Sequence, residues 1–116
     1  MNDDSLSGTH MQEQFDQARF LTCIAEPTRL QILLLLAKDQ KKCVGEIADI
    51  LGREQSLISH HLARLRKCNI VFATRTDQKV YYAITDSRIS ELVLIVQSLV
   101  NDRPLCEKEA GYCQET

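Results

Sequence analysis

The stretch from Val44 to Ile84 constrains the fold more than any other part of the chain, because it reads as helix, tight turn, helix and β-hairpin in immediate succession. Val44, Ile47, Ala48, Ile50 and Leu51 recur at the three- and four-residue spacing of one buried helical face. Gly52 follows them. A left-handed glycine there closes the helix and lets the chain turn sharply through Arg53 and Glu54. A second helix, roughly 55–67, places Leu57, Ile58, Leu62 and Leu65 inward and leaves Gln55, Ser56, Ser59, His60 and Arg64 facing out. These outward groups are short or planar hydrogen-bonding side chains, the types that reach base edges and phosphates from a helix in the major groove. A solvated amphipathic face has the same composition, so this helix alone leaves both readings open.

The flanking units tip the balance. After Cys68 and Asn69, residues 70–75 and 79–84 are rich in β-branched and aromatic side chains, with Thr76-Asp77-Gln78 as a polar turn between them. Arg75 and Lys79 put two cations near the tip, as a wing that straddles a phosphate backbone requires. The expected fold is therefore a winged helix-turn-helix, α+β but mainly α, with about five helices and one hairpin.

The remaining segments read as scaffold. A first helix, about 11–24, carries Phe15, Ala18, Phe20, Leu21 and Ile24, and Pro27 then occupies a favoured first-turn position of a second, leucine-rich helix suited to the centre of a core. Asp86 is placed to cap a last helix whose stripe is Ile89, Leu92, Val93, Val96, Leu99 and Val100, widened by Leu94 and Ile95. A chain of 116 residues supports one core and has too little surface to cover so apolar a helix. The last helix is expected to pack against its copy in a second subunit, which gives a helical dimer interface.

At this point the residues resemble the ArsR–SmtB group of winged-helix repressors, which sense metals and other small inducers. The resemblance covers about residues 15–100. It runs through Ala25-Glu26-Pro27-Thr28-Arg29-Leu30-Gln31-Ile32-Leu33, then Gln55-Ser56-Leu57-Ile58-Ser59-His60-His61-Leu62, then Val80-Tyr81-Tyr82. The middle segment, which opens the recognition helix, is the most specific. The resemblance implies a homodimeric DNA-binding repressor that pairs its first and last helices. It also implies DNA contacts at Gln55, Ser56, Ser59, His60 and Arg64, with Arg75 and Lys79 on the wing. Two recognition helices would then lie roughly 34–36 Å apart and read an inverted repeat in double-stranded DNA.

A net charge of −2 argues at first against a nucleic-acid partner, but its distribution reverses the argument. Residues 1–26 carry −4 and residues 80–116 carry −3, whereas residues 27–52 carry +1 and residues 53–79 carry +4. Positive charge is concentrated on the segment that would meet phosphates. A local patch also limits non-specific affinity, which scales with the phosphates neutralised.

Five cysteines are many for a chain of this size, and an odd number argues against a disulfide framework. Cys23 and Cys68 read as small packing residues. Cys43 differs, since it follows Lys41 and Lys42 at the entrance of the third helix. Arsenic, cadmium and lead sensors of the resembling family carry Cys-Val-Cys followed by an acid here. This chain has Cys43-Val44-Gly45-Glu46, the first thiol without the second. The expected partners are Cys106 and Cys113. A continuous helix would hold those two about 10.5 Å apart, too far for one ion, but Pro104 and Gly111 allow the tail to fold back. Three thiolates suit a trigonal arsenite, As(III), or Cd(II) or Pb(II), better than zinc. Two other readings stay open: incidental cysteines in a disordered tail, or a redox site in which two of these thiols link as a disulfide or polysulfide. The family's zinc and nickel site has no counterpart, because its positions hold Asp86, Arg88, Leu99 and Asp102 without either histidine. His60 and His61 point about 100° apart on the helix and cannot chelate together.

No enzyme motif is present: no glycine-rich phosphate loop, nucleophile elbow or His-Glu-X-X-His. No permanent cofactor is expected. Residues 1–10 read as a disordered acidic arm, 11–101 as the dimeric DNA-binding domain and 102–116 as a cysteine-containing tail. The amino terminus lacks a basic n-region and an apolar h-region, and the longest apolar run is too short for a bilayer, so a cytoplasmic protein with no membrane partner is expected. A different class remains as the alternative, a non-sensing architectural module that uses the winged helix as a docking surface.

Overall fold

The computed structural model describes residues 8–103, and their side chains from residue 11 onward. Its order is α1 (Gly8–Ile24), α2 (Pro27–Asp39), β1 (Lys41–Cys43), α3 (Val44–Leu51), α4 (Gln55–Lys67), β2 (Val71–Thr76), β3 (Lys79–Ile84) and α5 (Ser87–Asp102). The five helices and the hairpin follow the sequence expectation. The tail from residue 104, including Cys106 and Cys113, lies outside the described residues.

Local chemistry sets the boundaries. Pro27 drives the preceding Glu26 into extended backbone, φ −127° and ψ 133°, which separates α1 from α2. The Glu26 carboxylate then caps α2, accepting from the Arg29 backbone N–H at 2.8 Å. Gly52 closes α3 at φ +67°. The end of α4 is a Schellman turn: Asn69 takes φ 60°, its N–H donates to Arg66 O, and the Ile70 N–H donates to Leu65 O, both at 2.9 Å. Asp86 caps α5, accepting from the Arg88 N–H at 2.9 Å. The same carboxylate meets the Arg88 guanidinium at 2.7 Å, and together these bonds pull its pKa down to about 2.

Three antiparallel strands form the sheet in the order β1-β3-β2. The sequence reading had only the hairpin. Strand β1 is three residues long, too short for a periodic signal, and exists because Lys41, Lys42 and Cys43 pair with Ala83, Tyr82 and Tyr81. The turn is also tighter than the expected Thr76-Asp77-Gln78, since Thr76 pairs with Lys79. Asp77 and Gln78 alone make it, both at positive φ (51° and 69°), in the manner of a two-residue turn that matches strand twist.

Helix α2 lies at the centre of the core, as its leucines suggested. Ile32, Leu33 and Leu36 are buried with Ile47 and Ala48 of α3, Ile58, Leu62 and Leu65 of α4, and Val93 of α5. Two expected core residues are exposed. Ile50 is 54% exposed and Leu57 is 36% exposed. At about 100° per residue, Leu57 stands a full step outside the stripe of Ile58, Leu62 and Leu65, and Ile50 sits at the margin of the Ile47–Leu51 face. Helices α1 and α5 also leave large apolar side chains in solvent: Met11, Phe15 and Leu21 on the first, and Ile95, Val96, Leu99 and Val100 on the second. Among the described residues, no single helix is long and apolar enough to cross a membrane.

Candidate nucleic-acid interface

Helix α4 is held against the body by Ile58, His61, Leu62 and Leu65, all buried. That spacing aims the opposite side outward, and Gln55, Ser56, Ser59, His60 and Arg64 are all exposed, as the sequence predicted. The turn before α4 is fastened from both sides. The Arg53 N–H donates to Ala48 O at 3.0 Å, and Arg53 Nη1 donates to Thr28 Oγ1 of α2 at 3.1 Å. The polar side of α4 is thereby fixed in direction by the neighbouring elements.

His61 is the one polar member of the inward stripe, 7% exposed. Arg29 Nη1 donates to its Nδ1 at 3.2 Å, and Glu26 Oε1 lies 3.7 Å from the same atom. Because a guanidinium only donates, Nδ1 must be the acceptor, which leaves the ring proton on Nε2. Burial holds the pKa of His61 below its usual 6.5 despite the nearby Glu26 charge, with Arg29, His60 and Arg53 also pushing it down. The folded chain therefore favours neutral His61, and the associated stability is complete above 6.5 and lost as pH falls from there through the depressed value. Between about pH 7 and about pH 5, the thermal midpoint should fall more steeply for the native chain than for His61→Gln, whose amide accepts from Arg29 but takes no proton. Parallel melting curves would sink this assignment.

The wing carries its cations as the sequence proposed, with a refinement set by register. Arg75 pairs with Val80, and Thr76 with Lys79, so Arg75 and Lys79 lie on opposite faces of the hairpin. Lys79 shares its face with Tyr81 and, across β1, with Lys41, whose Nζ sits 5.1 Å from the Tyr81 ring centre. Lys41 is an exposed cation that the sequence reading did not place at the interface. Only its pairing with β3 brings it onto the Lys79 face of the sheet.

Of the three expected metal ligands, only Cys43 falls among the described residues. It is half-buried at the N-cap of α3, and its N–H donates to Glu46 Oε1 at 2.9 Å, a bond that lowers the Glu46 pKa. Among the described residues, no three His, Cys, Asp or Glu side chains converge as a metal site. Cys23 and Cys68 differ from the expectation that each is an isolated packing residue, since a disulfide joins them across 45 positions of sequence. Cys23 is buried at 2% exposure, which fits a packing role, but the partnership spans two helices and leaves no trace in local spacing.

Comparison with known proteins agrees with the geometry. Residues 26–72 match the family described as bacterial regulatory protein, arsR family. The chain is 38% identical over 89 residues to an uncharacterized HTH-type transcriptional regulator of Methanocaldococcus jannaschii, covering 77% of this chain and 100% of that protein. It is 38% identical over 77 residues to the arsenic resistance transcriptional regulator ArsR1 of Pseudomonas putida, covering 66% and 60% of the two chains. The solution structure of a homodimeric winged helix-turn-helix DNA-binding domain from Mycobacterium bovis, a possible ArsR-family regulator, superposes with a TM-score of 0.75 at 29% identity, covering 83% of this chain and 88% of that one.

Proposed function

This chain belongs to the arsR family of bacterial regulatory proteins, and on that footing we propose that it is a homodimeric repressor whose inducer is a thiophilic metal or metalloid. The family consists of DNA-binding transcriptional regulators and not of enzymes. The observation that carries the reading is the exposed face of α4, where Gln55, Ser56, Ser59, His60 and Arg64 stand clear of a firmly packed helix beside a wing bearing Arg75 and Lys79. Those seven residues are the DNA contacts in this reading, the first five for base edges and phosphates, the two on the wing for phosphates.

The exposed apolar rows of α1 and α5 support a dimer built on those helices, and the homodimeric Mycobacterium bovis domain has the same fold. Two copies of α4 related by a twofold axis would read an inverted repeat. The inducer, arsenite, Cd(II) or Pb(II), is held by thiolates of Cys43 and of Cys106 and Cys113 from the tail. The arsenic resistance regulator among the relatives supports this class. Linkage requires the inducer to bind the DNA complex more weakly than the free dimer, by about 1–3 kcal/mol of coupling.

The test is fluorescence anisotropy of the reduced protein on a labelled fragment of its own upstream DNA, titrated with arsenite and then with cadmium. Release by either at near-stoichiometric amounts is the expected outcome. Cys43→Ser should keep operator affinity and lose the release. Parallel loss of both would remove Cys43 from the sensing site, and tight binding that neither inducer disturbs would remove the metal.

A further inference from the structure

We infer that Cys23 and Cys68 form a redox site through which a low-molecular-weight disulfide changes how the recognition helix is held. The two residues occupy telling positions. Cys23 is the penultimate residue of α1, whereas Cys68 is the C-cap of α4, the helix proposed to enter DNA. Cys23 Sγ lies 3.7 Å from the carbonyl oxygen of Arg64, itself a proposed DNA contact, and a reduced Cys23 thiol would donate to it. The Cys23 backbone is tied to the same helix by a second route. Its carbonyl accepts from Arg29 Nε at 2.6 Å, and the other arm of that guanidinium holds His61.

The two sulfurs differ in access, which assigns their roles. Cys23 is buried, whereas Cys68 is only half-buried and lines a surface groove of about 310 Å³ with Asp16, Arg19, Phe20 and Lys67. Arg19 is paired with Asp16 at 3.4 Å, which leaves Lys67, among the described residues, as the uncompensated cation beside the accessible sulfur, placed to draw in an anionic disulfide. A bridge that persists for structural reasons is uncommon in compartments that hold genomic DNA, where the thiol pool is reducing and disulfides are mostly transient or sensing.

The chemistry balances as two exchanges. The Cys68 thiolate attacks one sulfur of RS–SR, the S–S bond breaks, and RS⁻ leaves and takes up a proton. Cys23 then gives its proton to the second departing thiolate as its sulfur attacks Cys68 Sγ, which releases another RSH. The pair loses two electrons and the small disulfide gains them. Afterwards α1 and the last turn of α4 are covalently joined instead of merely packed, so the position of Arg64 and the register of the two helices change together.

The effect on DNA rests on the operator reading above, whereas the chemistry does not, and the test separates them. The full chain carrying Cys43→Ser, Cys106→Ser and Cys113→Ser is reduced, freed of reductant and incubated with glutathione disulfide. Peptide mass mapping should show the Cys23–Cys68 link, and the melting temperature should rise by about 10 °C as the crosslink closes a long loop. Brief alkylation of the reduced form should label Cys68 before Cys23. Operator affinity should differ at least about fivefold between the two forms and return on reduction, with no change in a further Cys68→Ser variant. Absence of the linked peptide overturns the site, and a linked peptide with equal operator affinities overturns its effect on the recognition helix. If neither form binds DNA, the operator reading fails. Peptide mapping and melting temperature then decide the redox site alone, and a link that leaves the melting temperature unmoved overturns it.

Discussion

Replacing Leu62 with alanine is expected to lower the stability of the fold by about 2–5 kcal/mol, the largest single-site effect anticipated for this chain. Leu62 is fully buried in the middle of α4, in one cluster with Ile58, Leu65 and the α2 residues Ile32, Leu33 and Leu36. Truncation there removes apolar contacts and leaves a cavity that helices packed on several sides cannot close. The control is Leu57→Ala on the same helix. Leu57 is 36% exposed, so its truncation should cost less than about 1 kcal/mol. Urea denaturation distinguishes the two, since a shifted midpoint at unchanged slope reports stability alone. Equal losses at both positions would contradict the orientation of α4 and, with it, the set of side chains offered to DNA.

The second large effect concerns binding. Changing Ser59 and His60 together to alanine should weaken operator binding about 30-fold or more, from about 1–3 kcal/mol for each lost base contact. Both positions are exposed, and alanine is a better helix former than serine or histidine, so the fold should not weaken. Affinity for unrelated DNA should stay within about threefold, because that term comes from phosphate neutralisation. Arg75→Ala on the wing makes the contrast. It should lower affinity for all sequences alike and reduce the slope of log affinity against log salt by about one. If the double variant loses operator and unrelated DNA equally, α4 contacts phosphates and not bases.

The sites differ in how legible they were. The five proposed DNA contacts on α4 stand exposed where the periodicity put them, because an inward stripe at three- and four-residue spacing dictates the outward one. The wing cations were legible as residues but not as a geometry, since a tighter turn places Arg75 and Lys79 on opposite faces. Lys41 gives no local signal because its strand is three residues long and its neighbours in the sheet are some 40 positions away. The Cys23–Cys68 pair was hidden for the same reason, its partners separated by 45 positions and each unremarkable where it stands.

By itself the sequence determined the five helices, the caps at Gly52 and Asp86, the hairpin and the polar side of α4, although α1 begins at Gly8, inside the arm expected to be disordered. Caps, glycine turns and apolar spacing act within a few residues, so each is written where it operates. Tertiary structure alone decided that β1 joins the sheet, that His61 is buried against Arg29, and that two distant sulfurs meet. Each of these depends on which far element packs against which, and that choice is made by the whole core at once, where burying Ile32, Leu33, Leu62 and Leu65 outweighs any local preference at the margins.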